Sequence, residues 1–158
     1  MAQRSHRLYP EADGSLHYDI IERGPQRRLR ICIIRRKEKK LATAAHHRVA
    51  ENRPTSSGVT VFLMHGVAGS IEVWRSQFDL VQAPAVDKIV AVDLIGHGES
   101  SAPHHHEAYQ FEAIAADITE VFTQFRSMSN VLIGHSYGYI LFCCYIFILF
   151  SIHSFIIC

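Results

Sequence analysis

Between residues 59 and 138, three apolar runs each stop at a glycine-rich polar loop. "VTVFLM" (59–64) runs into "HGVAGS" (65–70), "KIVAVD" (88–93) into "DLIGHGES" (93–100), and "VLI" (131–133) into "GHSYG" (134–138). Short apolar runs with no alternating polar face are what strands covered on both sides look like. Two helical stripes separate them. Ile71, Trp74, Phe78 and Val81 recur at helical spacing behind Ser70, a residue type suited to cap a helix. Phe111, Ile114, Ile118, Val121, Phe122 and Phe125 make the second stripe. Strand–helix–strand–helix–strand predicts an α/β fold, a parallel sheet with helices on its faces.

Upstream, Leu16, Tyr18 and Ile20 alternate with other residues, as do Leu29, Ile31 and Ile33. Alternation predicts two strands with one buried face, and Gly24-Pro25 between them predicts a hairpin. Charge is uneven along the 158 residues. Residues 1–58 hold 13 Lys/Arg against 6 Asp/Glu, residues 59–158 hold 3 against 9, and no charge follows Arg126. The expected organisation is an N-terminal tail (1–15), a partial α/β domain (16–138) with a basic loop or linker at 37–58, and an apolar tail (139–158). The basic stretch has no interleaved aromatic residue, so nucleic acid is not an expected partner. Cys32 stands alone, and Cys143, Cys144 and Cys158 crowd the tail. That usage suits a reducing compartment rather than a disulfide framework. The first 15 residues lack an apolar signal core. The expected location is therefore intracellular, cytoplasmic or membrane-associated, and not secreted.

The three loops fall at the carboxyl ends of the strands, where open parallel sheets place their sites. A serine hydroxyl needs exposure, a base and an oxyanion site before it acts as a nucleophile. In "GHSYG", Gly134 and Gly138 leave room for a sharp strand-to-helix turn that exposes Ser136. The Tyr137 N–H would then face a developing oxyanion. "HG" after the first strand, His65-Gly66, brings a second donor, the Val67 N–H, to the same place. His135 adjoins the serine, but neighbouring strand side chains point apart, so it is a poor base. The His46-His47 pair and the His104–His106 tract lack the ligand spacing of a zinc site, and no metal is expected.

"HGVAGSIEVW", "VDLIGHGESSAP" and "NVLIGHSYG" together resemble the α/β-hydrolase superfamily, and more narrowly a small group of abhydrolase domain-containing relatives. The resemblance is strong over 59–138 and weak over 16–36, where the family has its first two strands. It implies that Ser136 is the nucleophile and that Val67 and Tyr137 hold the oxyanion-hole positions. His65, Gly66, Gly134, His135 and Gly138 support these motifs. Asp93, Gly96, His97, Gly98 and Ser100 match the family's D-x-x-G-x-G-x-S loop, which is mostly structural. The implied activity is serine hydrolysis of small-molecule acyl or lipid esters, without a cofactor. Serine at 136, where some relatives carry aspartate, speaks against epoxide-hydrolase or dehalogenase chemistry.

In the family the triad runs serine, acid, histidine. Only 22 residues follow Ser136, no Asp or Glu follows Glu120, and the one later histidine is His153. The expectation is a truncated α/β-hydrolase fold that lacks its acid and histidine and is inactive. The alternative is a catalytically dead membrane-associated or regulatory form. For "YILFCCYIFILFSIHSFIIC" (139–158) three readings stand open: sequence foreign to the family, a membrane anchor making contact with lipid, or a buried helix. Twenty apolar residues as a helix would span a bilayer. With no later strand, the third parallel strand is expected to leave an open apolar edge.

Overall fold

The computed structural model describes residues 14–36, 58–143 and 155–157. Strands β1 (Gly14–Glu22) and β2 (Arg28–Arg36) form an antiparallel hairpin. In its turn the Arg27 N–H donates to Gly24 O at 3.1 Å, and Gln26 has φ 60°. This is the signature of a type II turn, for which Pro25 presets the first central dihedral. Strands β3 (Val59–Met64), β4 (Val86–Val92) and β5 (Ser129–Gly134) are mutually parallel, with β3 between the other two. The full order is β1-β2-β4-β3-β5-β6, where β6 is Phe155–Ile157. β2 joins β4 antiparallel, with Ile31 opposite Val92.

The two-residue period of the strands sorts their side chains into two cores. Ile31, Ile33, Phe62, Met64, Val90, Val92 and Leu132 face one side. There they meet Ile114, Ile118, Val121 and Phe122 of helix α1 (Phe111–Phe125). Cys32, Ile34, Val61, Leu63, Ile89, Ala91 and Ile133 face the other side, against Ile71, Trp74, Phe78 and Val81. Those four residues belong to a 3₁₀ helix, Ile71–Gln82, rather than an α-helix. Its tighter winding eclipses positions three apart, so Ile71 stacks with Trp74 and Phe78 with Val81 in two neighbouring columns, and all four are buried. Ser70 does cap it, its side chain accepting from the Glu72 N–H at 3.3 Å.

A charged strap ties the hairpin to α1. Arg27 donates through Nη2 to Asp117 Oδ2 at 2.6 Å and through Nε to Oδ1 at 3.0 Å. Arg23 Nε adds a third bond to Asp117 Oδ1 at 3.2 Å.

The structure departs from the sequence reading in three places. On β1, Leu16 and Ile20 are 42% and 47% exposed, while Ile21 of the opposite face is buried. Tyr18 alone of the expected inner face packs on the core, because β1 is the outermost strand and lies beyond the cover of the 3₁₀ helix. Second, the far side of β5 is paired: Leu132, Ile133 and Gly134 sit opposite Phe155, Ile156 and Ile157 of parallel β6. The expected open edge is therefore occupied there. Third, 139–158 is not one continuous helix, since helix α2 (Tyr137–Leu141) gives way to the strand at 155. No helix among the described residues is long and apolar enough to cross a membrane. The basic loop, apart from Gly58, and most of the apolar tail lie outside the described residues.

Candidate active site

The turn between β5 and α2 is held in an unusual conformation. Ser136 has φ 53° and ψ −116°, a sparsely populated region for any residue with a side chain. The neighbours explain how the turn closes. A β-carbon at Gly134 would lie 2.6 Å from Tyr139 N, and one at Gly138 would lie 2.4 Å from Met64 O. Only glycine lets the start of α2 pass this close to β5 and to the end of β3. The Gly138 N–H donates to His135 O and the Tyr139 N–H to Ser136 O, both at 3.0 Å. Tyr137 heads the helix, one of the positions whose N–H has no intrahelical acceptor. Ser136 is exposed, its side chain does not cap α2, and no described side chain bonds to its Oγ.

The loop after β3 runs beside this serine. A β-carbon on Gly66 would stand 2.9 Å from Ser136 Cβ. The loop is a four-residue turn in which the Gly69 N–H donates to Gly66 O at 3.1 Å. Val67 at its tip is 72% exposed.

The loop after β4 supplies the scaffold. Asp93 is fully buried, and each carboxylate oxygen is spoken for. Oδ1 accepts from the Ile71 N–H at 2.6 Å, and Oδ2 from the Glu99 N–H at 3.0 Å and Arg30 Nη1 at 3.4 Å. Ser100 donates its hydroxyl to Asp93 O at 2.6 Å and accepts the Arg30 N–H at 2.9 Å. Gly96 and Gly98 have φ 75° and 52°, and a β-carbon on Gly98 would sit 2.2 Å from the Asp93 carboxyl carbon. Asp93 thus knits the loop to β2 and to the 3₁₀ helix, and has no free oxygen to orient a base.

Two imidazoles complete the scaffold. His65 is fully buried; its Nδ1 lies 2.7 Å from Gly66 O, and its Nε2 accepts from the Leu94 N–H at 3.0 Å. Only a neutral ring protonated at Nδ1 meets both partners. Burial holds its pKa below the ordinary histidine value, against the opposing pull of the Gly66 carbonyl. His97 repeats the pattern, with Nδ1 3.0 Å from Ile95 O and Nε2 accepting from the Ala68 N–H at 3.1 Å. The two rings are 5.1 Å apart. His65 and His97 are therefore both committed to backbone. His135 is exposed and carries no bond to Ser136. Cys32 is buried in the core, and desolvation pushes its thiol up to about 12.

A cleft of about 340 Å³ opens beside the turn. Gly66, Val67 and Ala68 form one side, Val73, Trp74 and Gln77 of the 3₁₀ helix another, and His135 contributes from the elbow. Among the described residues no cluster of His, Cys, Asp and Glu is placed to hold a metal.

The sequence singled out Ser136, Val67, Tyr137 and the supporting glycines, and the fold brings all of them to one end of β3, β4 and β5. The sequence does not show the cleft wall at Val73 and Gln77, because these residues lie off the buried stripe of their helix. The bond from Ala68 to His97 was also missed. The one signal for it was a histidine between two glycines in "GHG".

Residues 59–145 match the family model described as the alpha/beta hydrolase fold. Protein ABHD8 of Mus musculus is 38% identical over 112 residues, which cover 71% of this chain and 25% of that protein. Epoxide hydrolase 4 of Mus musculus is 37% identical over 78 residues, 49% of this chain and 21% of that protein. The chain thus spans about a quarter of the length of these curated relatives. Among solved structures, the thioesterase domain from the curacin biosynthetic pathway superposes with a TM-score of 0.67 at 21% identity, covering 90% of this chain and 46% of that one. Epoxide hydrolase VrEH1 from Vigna radiata gives 0.62 at 17%, covering 90% and 38%. Likeness at those identities shows the fold alone.

Proposed function

Because this chain belongs to the α/β-hydrolase fold family, we propose that its site is the nucleophile-and-oxyanion half of a serine hydrolase acting on small acyl or lipid esters. The observation that carries this reading is the strained, exposed Ser136 standing against Gly66 of the neighbouring loop. In the proposed reaction Ser136 Oγ, its proton taken by a base from outside the described residues, attacks the ester carbonyl carbon, and the alcohol takes up that proton and leaves as the acyl-serine forms. The N–H groups of Val67 and Tyr137 donate to the oxygen that gains charge. Donors fixed beforehand in this way are often the largest single catalytic contribution. A serine at the elbow suits attack on a carbonyl, so the acyl-ester reading is preferred to the epoxide chemistry named in some relatives.

Among the described residues no imidazole or carboxylate is hydrogen-bonded to Ser136 Oγ. His65 and His97 have both ring nitrogens engaged, and Asp93 has both oxygens engaged. Losing the base costs on the order of 10⁶ in kcat in a well-studied serine protease. On its own described residues, therefore, this site does not turn over esters at an appreciable rate.

A fluorophosphonate probe tests both halves of the proposal. Without a base, labelling of Ser136 requires the alkoxide, so its rate should climb about tenfold per pH unit through the neutral range. Labelling should vanish in Ser136→Ala. A rate that levels off near pH 7 would reveal a resident base. Labelling no faster at Ser136 than at other exposed serines would remove the oxyanion site.

A further inference from the structure

The loop beside Ser136 contains a strain that its own sequence does not relieve. Gly66 to Gly69 closes with the Gly69 N–H on Gly66 O, Val67 has a negative φ, and Ala68 has φ 62°. This is the signature of a type II turn, which asks for glycine or asparagine at the third position. Here that position is alanine, whose β-carbon makes the left-handed region costly. A type I turn would join the same ends with Ala68 at negative φ and no such cost. The two turns differ by a flip of the peptide between Val67 and Ala68. In one the Ala68 N–H faces a given side; in the other the Val67 carbonyl faces it.

His97 faces that side. Its Nε2 accepts the Ala68 N–H, and its Nδ1 is placed to donate to Ile95 O. With the proton on Nδ1, Nε2 presents a lone pair and has nothing to offer a carbonyl. The flipped peptide would set acceptor against acceptor. The ring itself cannot easily follow the loop. It stands between Gly96 and Gly98, both left-handed, and Gly98 is pressed against buried Asp93. The His97 N–H donates to Leu94 O at 2.9 Å, and its carbonyl accepts from the Ser100 N–H at 3.0 Å.

We infer that His97 is a positioning residue, a latch that holds the Val67–Ala68 peptide of the loop beside Ser136 in its type II orientation against the preference of Ala68. The hairpin turn at Gly24–Arg27 places the same demand on Gln26, with φ 60°; at Gly66 the demand is met across space, from another strand end. Its consequence for catalysis rests on the hydrolase reading, since the latched peptide follows the Val67 N–H assigned there. The latch itself does not rest on that reading.

Solution NMR on the 158-residue chain tests it without turnover. A type II turn brings Val67 Hα close to the Ala68 N–H and gives a strong cross-peak; the flipped turn gives a weak one. Wild type should show the strong peak and an unprotonated, accepting Nε2 in the His97 nitrogen spectrum. His97→Phe removes the acceptor: the peak should weaken and Ala68 amide exchange should rise about tenfold, the worth of one ordinary hydrogen bond. His97→Gln, whose side-chain oxygen replaces the acceptor, should restore both. Ala68→Gly combined with His97→Phe should also keep the strong peak, because glycine holds a positive φ without help. A strong peak retained in His97→Phe overturns the latch. So does a weak peak in the double variant, or a proton on Nε2 in wild type, which is read without any substitution. None of these outcomes bears on whether Ser136 reacts with esters, so either proposal can fail while the other stands.

Discussion

At the residue scale, the site is built from groups that cannot be exchanged for near neighbours. Gly98 combines φ 52° with an Asp93 carboxylate where its β-carbon would go. Gly98→Ala should therefore cost at least about 2 kcal/mol, the left-handed penalty plus the clash. The urea midpoint measures it. His65 gives a pH dependence of defined sign. Its folded pKa lies below the ordinary value of 6.5 because burial disfavours the cation. The unfolded chain then binds more protons, so stability present above about pH 6.5 is lost as pH falls towards the folded value. Urea unfolding at stepped pH from 7.5 to 5 should show this decline. His65→Gln should be less stable at pH 7.5 and should show a shallower decline. Of the residue-level site, the sequence carried what is local. Gly134, Ser136 and Gly138 announce a strained turn by their spacing alone. It did not carry the engagement of His65 and His97 by backbone amides, because those partners, Leu94 and Ala68, stand 29 residues away in each case.

At the element scale, the hairpin depends on a contact that no local pattern announces. Asp117 interrupts the apolar stripe of α1 and is almost wholly buried, satisfied by Arg23 and Arg27 from the hairpin turn. Removing one partner of a buried pair leaves the other charge uncompensated. Asp117→Ala should therefore destabilise by about 3 kcal/mol, measured by chemical denaturation. The accompanying gain in amide exchange should appear in β1 and α1 before the central strands. The same contact explains what the sequence missed at β1. Alternation identified the strand, but which face is covered depends on where the sheet ends. β2 lies inside the sheet and buries both Ile31 and Cys32; β1 lies at its edge and leaves Leu16 and Ile20 exposed. Period-two patterns report a strand and are silent about its position in the order.

At the scale of the whole molecule, three loops from three parallel strand ends meet at one face, and each does a different job. The β5–α2 turn exposes Ser136. The Gly66–Gly69 turn lies against it. The Asp93–Ser100 loop ties the second to the rest of the fold through Asp93 and His97, both engaged by backbone groups. This division was readable from the order of the apolar runs, since parallel strands bring their carboxyl ends together. The paired edge of β5 was not, because its partner at 155–157 lies in a stretch whose composition reads equally as helix or strand.

Ser136 and two backbone amides are proposed to form a half-site that becomes active once a triad acid and histidine are supplied. The direct measurement joins residues 1–138 to the C-terminal part of a family member that carries the triad acid and histidine, then follows hydrolysis of a short activated ester. Turnover should appear, be abolished by Ser136→Ala and be little changed by Val67→Ala, whose N–H survives. Val67→Pro, which removes that donor, should lower kcat about 10²–10³-fold. A folded chimera that stays inactive, or one indifferent to Ser136→Ala, would contradict the proposed half-site.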